Sequence, residues 1–187
     1  MIRISLSEIF RCEPNGEAYV IMAEFPRMVA FWVERGLRLG GKVSFQNFRN
    51  RFIKEWKELF QGFHSQYAQT SCMVAFSAGL LSKPIGERTP VGSIERRFVV
   101  VSQNMLRLEG GALHFHVKTR GSPAKVILKP QYEVQRNLLE QAENKKWKLG
   151  QAIVTPEWAV AAFTRFIDLG SKEDPYISSL LSKTVHF

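Results

Sequence analysis

The segment 104–129 constrains the fold most, because polar and apolar residues alternate along it in three short runs. Glycine-containing breaks at residues 110–111 and 121–123 separate these runs. Alternation with a period of two between such breaks is typical of antiparallel strands joined by tight turns. The third run is less regular, since three apolar residues are contiguous at 126–128. The segment therefore predicts a β-meander.

The alternation also divides the side chains of this meander between two faces, because successive strand residues point to opposite sides of a sheet. The apolar set, which we expect to face the core, is Leu106, Leu108, Leu113, Phe115 and Val117. The opposite set carries cationic or imidazole groups and comprises Arg107, His114, His116, Lys118 and Arg120, with Lys125 and Lys129 bracketing the third run.

The charge of this region indicates an anionic partner. Residues 94–129 contain seven Lys and Arg against two Glu, a net charge of +5 out of +9 for the whole chain. Phosphate backbones attract such a face regardless of their base sequence. The alternative is an outer sheet face that only solvent contacts, as is usual for charged residues on strands.

The remaining composition predicts a reduced, soluble, cytoplasmic protein. The chain has two cysteines, Cys12 and Cys72, which are far apart and lack the CxxC spacing of a zinc site. The N-terminus lacks the pattern of a signal peptide, and no apolar run approaches the roughly 20 residues that span a bilayer. We therefore expect no membrane partner and no cofactor.

The N-terminal third predicts a strand followed by a helix. Residues 1–10 alternate in polarity, and we expect this strand to join the sheet of the meander. Asn15 is suited to cap the helix that follows, in which apolar residues recur at helical spacing over 21–33. Pro26 lies inside that pattern, which predicts a kink or a late start.

A second helix, capped by Ser44, carries an aromatic stripe. The stripe indicates a core-facing side rather than a binding platform, and a third helix from Ser65 has small residues that permit close packing. Together these helices predict a bundle over 15–83. The stripe is Phe45, Phe48, Phe52, Trp56, Leu59 and Phe60, and the cations on or beside its other face include Arg49, Lys54 and Lys57.

The C-terminal half predicts a sheet that contains one inserted helix. A strand at 94–101 precedes the meander, and a helix follows with Pro130 as its first residue and Val134, Leu138 and Leu139 on one side. Trp147 lies in a basic run that suggests exposure. Residues 152–166 predict a hairpin, although 158–166 could instead be helical. A tail at 169–187 shows no periodicity.

These elements predict an α+β fold, with a helical bundle packed beside an antiparallel barrel-like sheet of five or six strands at 94–168. The chain lacks the GxSxG, GxxxxGKS/T and HExxH motifs. His114 and His116 could bind a metal, but no further ligand lies near them in sequence. A two-metal nuclease needs several converging carboxylates, and only Glu173 and Asp174 follow Asp168 in the chain. We therefore predict no metal site and no catalysis.

The order of elements resembles the N-terminal half of the transposon-encoded TnpB (OrfB) proteins, which are RNA-guided nucleases. IRISL followed by FPRMVAFWVERGL is similar to the opening strand and helix of that family, and the stretch beginning VSFQNFRNRF is similar to its basic and small-residue helices. The stretch beginning VILKPQYEVQ resembles its wedge segment, with residues 150–152 at the family's "GEa" position. The resemblance covers nearly all of 2–167.

The resemblance implies a recognition bundle and a wedge barrel that hold structured RNA or an RNA–DNA duplex, possibly DNA. In the family the nuclease half, with its RuvC-like core and zinc ribbon, follows this region, and residues 168–170 are similar to the first motif of that half. The resemblance therefore implies binding without cleavage. The alternative is a truncated transposon product that acts as a protein-interaction or regulatory module, with part of the aromatic stripe exposed to a partner encoded by the same element.

Overall fold

The computed structural model describes residues 2–39, 43–77 and 97–167, and within these ranges the chain has an α+β fold, as predicted. Four helices and seven strands occur there. The helices are α1 (Gly16–Leu37), α2 (Phe45–Leu59), α3 (Gln66–Ser77) and α4 (Glu133–Glu143). The strands are β1 (Ile2–Pro14), β2 (Val99–Val101), β3 (Arg107–Glu109), β4 (Ala112–Phe115), β5 (Ala124–Lys129), β6 (Lys148–Val154) and β7 (Trp158–Ile167).

The strands form one antiparallel sheet, in the order β2-β6-β7-β1-β5-β4-β3, which curls into a half-barrel. Strand β1 continues to Pro14 and pairs on its two edges with β7 and β5. At Arg11 both pairings overlap, with Trp158 on one side and Lys129 on the other. The first strand therefore joins the meander to the C-terminal hairpin, and the described sheet has seven strands rather than the five or six we expected.

The predicted meander is β3, β4 and β5, and its faces are those that alternation indicates. Leu113, Phe115 and Val117 are buried, whereas Ile127 is 41% exposed between the exposed Lys125 and Lys129. The contiguous apolar run of β5 therefore conceals a regular alternation. The β3–β4 turn has two glycines, Gly110 and Gly111, with φ of +56° and +70°, which is the backbone that a tight hairpin with matching twist requires.

Both predicted helix caps are present. The side chain of Asn15 accepts a hydrogen bond from the Ala18 N–H at 3.1 Å, and that of Ser44 accepts one from Asn47 at 3.4 Å. Helix α1 begins directly after Asn15 and continues through Pro26, so the late start that we allowed is wrong. Pro26 is buried in the middle of α1, and packing of the apolar face of the helix in the core offsets the cost of the donor that proline lacks.

The helices and the sheet share one hydrophobic core, so the described parts of the predicted segments 15–83 and 94–168 are packed together. Phe25 of α1 makes edge-to-face contacts with Tyr67 of α3 and with Phe98, just before β2. Each buried aromatic side chain of this kind contributes about 1.5–3 kcal/mol of hydrophobic stabilisation. The bundle is therefore held against the sheet by apolar packing.

The aromatic stripe of α2 faces this core, with one exception. Phe48, Trp56 and Phe60 are buried, and Phe45 and Phe52 are half-buried. Leu59 is 64% exposed, so its assignment to the stripe is wrong. The helix ends at Leu59, and the turn after it carries Phe60 inward instead.

Two assignments around α4 are corrected by the structure. The helix begins at Glu133 rather than at Pro130. Val134 is exposed, and the buried position next to it belongs to Gln135, whose amide donates to the Ile9 carbonyl at 2.9 Å and to the Glu8 carboxylate at 3.3 Å. A polar residue occurs in this core position because its hydrogen bonds are satisfied there.

Trp147 is buried, with 2% of its surface exposed, although its neighbours in sequence are basic. Its indole N–H donates to the Gln141 side chain at 3.2 Å, and the Arg165 guanidinium lies 6.0 Å from the ring centroid. The hairpin reading of 152–166 is confirmed, and the helical alternative is wrong, because 158–167 pairs with both β1 and β6.

Several predicted features lie outside the described residues. These are the start of the strand at 94–96, most of the connection before it, Asp168 and the tail at 169–187. None of the described helices is long and apolar enough to cross a membrane.

Candidate nucleic-acid interface

Three predicted binding residues form a row across the meander. Arg107 of β3 is the register partner of His114 of β4, which is in turn the partner of Lys125 of β5. Side chains directly opposite each other on antiparallel strands have Cβ atoms roughly 4.5–5.5 Å apart. Arg107 and Lys125 are exposed and His114 is half-buried, so the row presents two fixed cations with an imidazole between them.

A shallow cavity of about 200 Å³ lies beside this row. Arg107, His114 and His116 all line it, together with the carboxylate-bearing Glu109. His116 follows the end of β4 and is exposed, and its main-chain carbonyl accepts a hydrogen bond from the Tyr67 hydroxyl at 3.0 Å. The two histidines therefore share one site, as the alternation predicted.

The connection between β4 and β5 carries the next predicted cations, Lys118 and Arg120, both exposed. Lys118 forms an isolated β-bridge with Phe63, in the turn between α2 and α3. The Thr119 N–H donates to the Gly62 carbonyl at 3.1 Å, so the sheet connection is attached to the bundle by main-chain bonds. Gly62 has a φ of +86°, a conformation that favours glycine.

This attachment brings cations from the bundle and the sheet to one place. Lys57, in the last turn of α2, lines the same cavity as Thr119, which lies between Lys118 and Arg120 in sequence. Nothing in the spacing of Lys57 and Lys118 along the chain indicates that their elements meet. The structure therefore divides the predicted residues into a strand cluster (Arg107, His114, His116, Lys125) and a junction cluster (Lys57, Lys118, Arg120).

The other predicted residues are placed differently. Lys54 is exposed on α2, but the Nε atom of Arg49 is buried and has no hydrogen-bond partner in the described part of the chain. Arg49 also lies near enough to Cys72 for its charge to act on the thiol. The structure thus places Arg49 partly inside the bundle, because the face of α2 that carries it packs toward α3.

Lys129 is exposed at the end of β5, where its ammonium group forms an ion pair with Glu13 of β1. Its register partner is Arg11, whose guanidinium lies 5.1 Å from the centroid of the Trp158 ring. Sequence reasoning missed Arg11 as a member of the cationic face. The sequence feature that could have revealed Arg11 is the alternation of β1, which continues past residue 10 and places Arg11 on the outer face of the sheet.

The two thiols are buried and separate. Burial raises the pKa of Cys12 to about 11, and its Sγ donates to the Thr155 carbonyl at 3.5 Å. Burial raises the pKa of Cys72 to about 12, an effect that the Arg49 charge opposes. No group of three or more His, Cys, Asp or Glu in the ranges described could hold a metal ion.

A comparison with models of known protein families found no match for this chain, and a comparison with curated proteins found no significant similarity.

Proposed function

We propose that this protein binds structured RNA, or an RNA–DNA duplex, through phosphate contacts and does not cut it. The observation that supports this most is the junction of the bundle with the β4–β5 connection, because it adds Lys57 to a run of basic residues on the sheet. The segment 114–120 links the strand and junction clusters, so one short stretch of chain connects the basic residues of both. A surface with two such clusters can contact more than one phosphate.

The charges of both clusters are available to a ligand. Arg107, Lys118, Arg120 and Lys125 are exposed and form no ion pair with any described residue. Cations of this kind gain free energy when they replace the counterions condensed on a nucleic acid. Contacts to the backbone fix position and orientation but do not read sequence, so we expect recognition of shape.

We retain the resemblance to the recognition bundle and wedge barrel of TnpB-like proteins as part of the proposal, because the order of elements is compatible with it. A bundle of three helices precedes a curled sheet with one inserted helix, and β1 joins the sheet. In this proposal the chain holds nucleic acid and supplies no cleavage chemistry. Incubation of the pure protein with labelled RNA and DNA, with and without Mg²⁺ or Mn²⁺, tests this, and metal-dependent products would contradict it.

The binding proposal is tested by the affinity of a labelled RNA hairpin for the protein as a function of salt concentration. Several neutralised phosphates give a steep linear fall of log K with log salt, with a slope of about −0.7 to −0.9 per phosphate. The chain offers a matched pair of variants, Lys125→Ala and Lys129→Ala, on one strand and one face. We expect Lys125→Ala to reduce the slope more, because Lys129 is already paired with Glu13. A flat salt response in the wild type would refute the proposal.

A second candidate, a protein-interaction module, is favoured by one feature of the outer sheet face. Val100, Ile153, Val160 and Ile9 are successive register partners across β2, β6, β7 and β1. Ile9 and Ile153 are exposed, and such apolar rows are found at protein interfaces. The aromatic stripe of α2 does not support this candidate, because it is mostly buried. A stable oligomer in light scattering that ignores RNA would favour it over the first proposal.

A further inference from the structure

An open cavity of about 290 Å³ lies at the junction between α2, α3 and the β4–β5 connection. Three aromatic side chains line it, Trp56, Phe60 and Phe63. Polar groups are interspersed with these rings, namely Lys57, Gln61, His64, Ser65 and Thr119. Pockets for drug-sized ligands have volumes of about 300–1,000 Å³, so this one lies at the lower end of that range and has room for a single ring system.

Two side chains of the lining, His64 and Trp56, carry ring nitrogens whose hydrogen bonding the structure defines. His64 Nδ1 accepts a hydrogen bond from the Gln66 N–H at 3.3 Å, so in the neutral imidazole the proton lies on Nε2, which is left as a donor. The indole N–H of Trp56 is buried and has no hydrogen-bond partner among the described residues. A buried donor without a partner costs free energy.

We infer that this cavity receives one unstacked base of the nucleic acid whose phosphates lie on the junction cluster. The inference rests on the proposed function. Every base has a π-face that stacks on aromatic rings, and its ring nitrogens and carbonyl oxygens accept hydrogen bonds. Phosphates flanking such a base meet Lys57, which lines the cavity, and Lys118, whose main chain is bridged to Phe63. The positive rim favours a base carried on a strand over a neutral aromatic compound.

The test compares two RNA hairpins that differ only in a single bulged 2-aminopurine. For the wild type, we expect the bulged hairpin to bind at least fivefold more tightly than the paired one, the lower end of the effect of one base–aromatic stack. Fluorescence of the 2-aminopurine should fall on binding, because stacking quenches it. The variant Phe63→Leu keeps an apolar side chain but removes one of the three π-faces, and should reduce both the preference for the bulged hairpin and the fluorescence change.

Two further variants make the result interpretable. Tyr132→Leu removes an exposed aromatic ring outside the cavity and should behave as the wild type. If Phe63→Leu proves unstable by circular dichroism, Thr119→Leu takes its place. It changes an exposed residue of the lining and should reduce the preference for the bulged hairpin.

The outcomes separate this inference from the proposed function. Equal binding of both hairpins with a steep salt dependence would overturn the base pocket and leave the phosphate interface intact. The absence of salt-dependent binding to either hairpin would overturn both. Free AMP should bind more weakly than the bulged hairpin, since it lacks the neighbouring phosphates. Tighter binding of AMP, lost in Phe63→Leu, would show that the cavity serves a free nucleotide instead.

Discussion

The hydroxyl of Tyr67 donates a hydrogen bond to the main-chain carbonyl of His116 at 3.0 Å, which ties α3 to the end of β4. Burial raises the pKa of the Tyr67 hydroxyl well above its usual range, so it remains a donor throughout the neutral and mildly alkaline range. Two residues later, the β4–β5 connection joins the α2–α3 turn. The segment 114–120, which carries residues of both clusters, is thus held near its centre by a buried side chain of the bundle.

Replacing Tyr67 with Phe should lower the free energy of unfolding by about 0.5–1.5 kcal/mol, the net value of a typical hydrogen bond. Urea unfolding should show a lower midpoint and an unchanged slope. Tyr19→Phe, at an exposed position of α1, provides the control and should have no effect. An equal loss in both variants would mean that the bond to His116 contributes nothing.

Replacing Phe115 with Ala should cost about 3–5 kcal/mol of stability, because the ring is fully buried and its removal opens a cavity. Lys118→Ala, three residues away on the exposed side, should leave stability within about 0.5 kcal/mol of the wild type. Thermal unfolding of the two variants checks this pair. If Lys118→Ala unfolds the protein and Phe115→Ala does not, the two faces have been assigned the wrong way round.

The double variant Lys118→Ala with Arg120→Ala should weaken binding uniformly across RNA sequences and reduce the salt slope by about one for each lost phosphate contact. Both side chains are exposed, so the fold should be unaffected. The double variant Lys145→Ala with Lys146→Ala removes two exposed cations between α4 and β6 and serves as the charge-matched control. A loss restricted to one RNA sequence would contradict phosphate binding and indicate base readout.

Ser71→Ala should destabilise the protein by about 1–3 kcal/mol, because it leaves the buried indole N–H of Trp32 without the hydroxyl that accepts its bond at 2.9 Å. The pair joins α1 to α3 inside the core. Ser77→Ala, at the exposed end of α3, is the comparison and should be nearly neutral. Similar unfolding midpoints for the two variants would show that the Trp32 N–H finds another acceptor.

Stability should fall as the pH rises above 9. The unfolded thiols lose their protons near pH 9.0, whereas burial holds the pKa of Cys12 at about 11 and that of Cys72 at about 12 in the folded protein. The folded state therefore binds more protons than the unfolded state in this range. Each thiol should lower the free energy of unfolding by about 1 kcal/mol by pH 10. The double variant Cys12→Ala with Cys72→Ala should lose correspondingly less between pH 8 and pH 10 in urea titrations. Parallel losses in both proteins would exclude the thiols as the cause.

Patterns that act between neighbours in the chain were sufficient to predict much of the fold. Asn15 and Ser44 were identified as caps because a cap bonds the main chain three residues ahead. The faces of the meander followed from alternation, since strand geometry sends successive side chains to opposite sides. The strand cluster was therefore predictable from its segment, apart from the register that places His114 between Arg107 and Lys125.

The burial of particular side chains and the junction of the bundle with the sheet depend on contacts between segments that are distant in the chain. Trp147 is covered by the turn between α4 and β6, and Arg49 lies partly inside the bundle, although local charge suggested that both were exposed. The junction that brings Lys57 to the β4–β5 connection depends on main-chain hydrogen bonds of Gly62 and His64, and main-chain bonds between distant segments leave no side-chain pattern in the sequence. Alternation and helical spacing report which way a side chain points from its own element. They carry no information on what that side of the element will meet, and this is why the cavity at the junction emerged only from the folded chain.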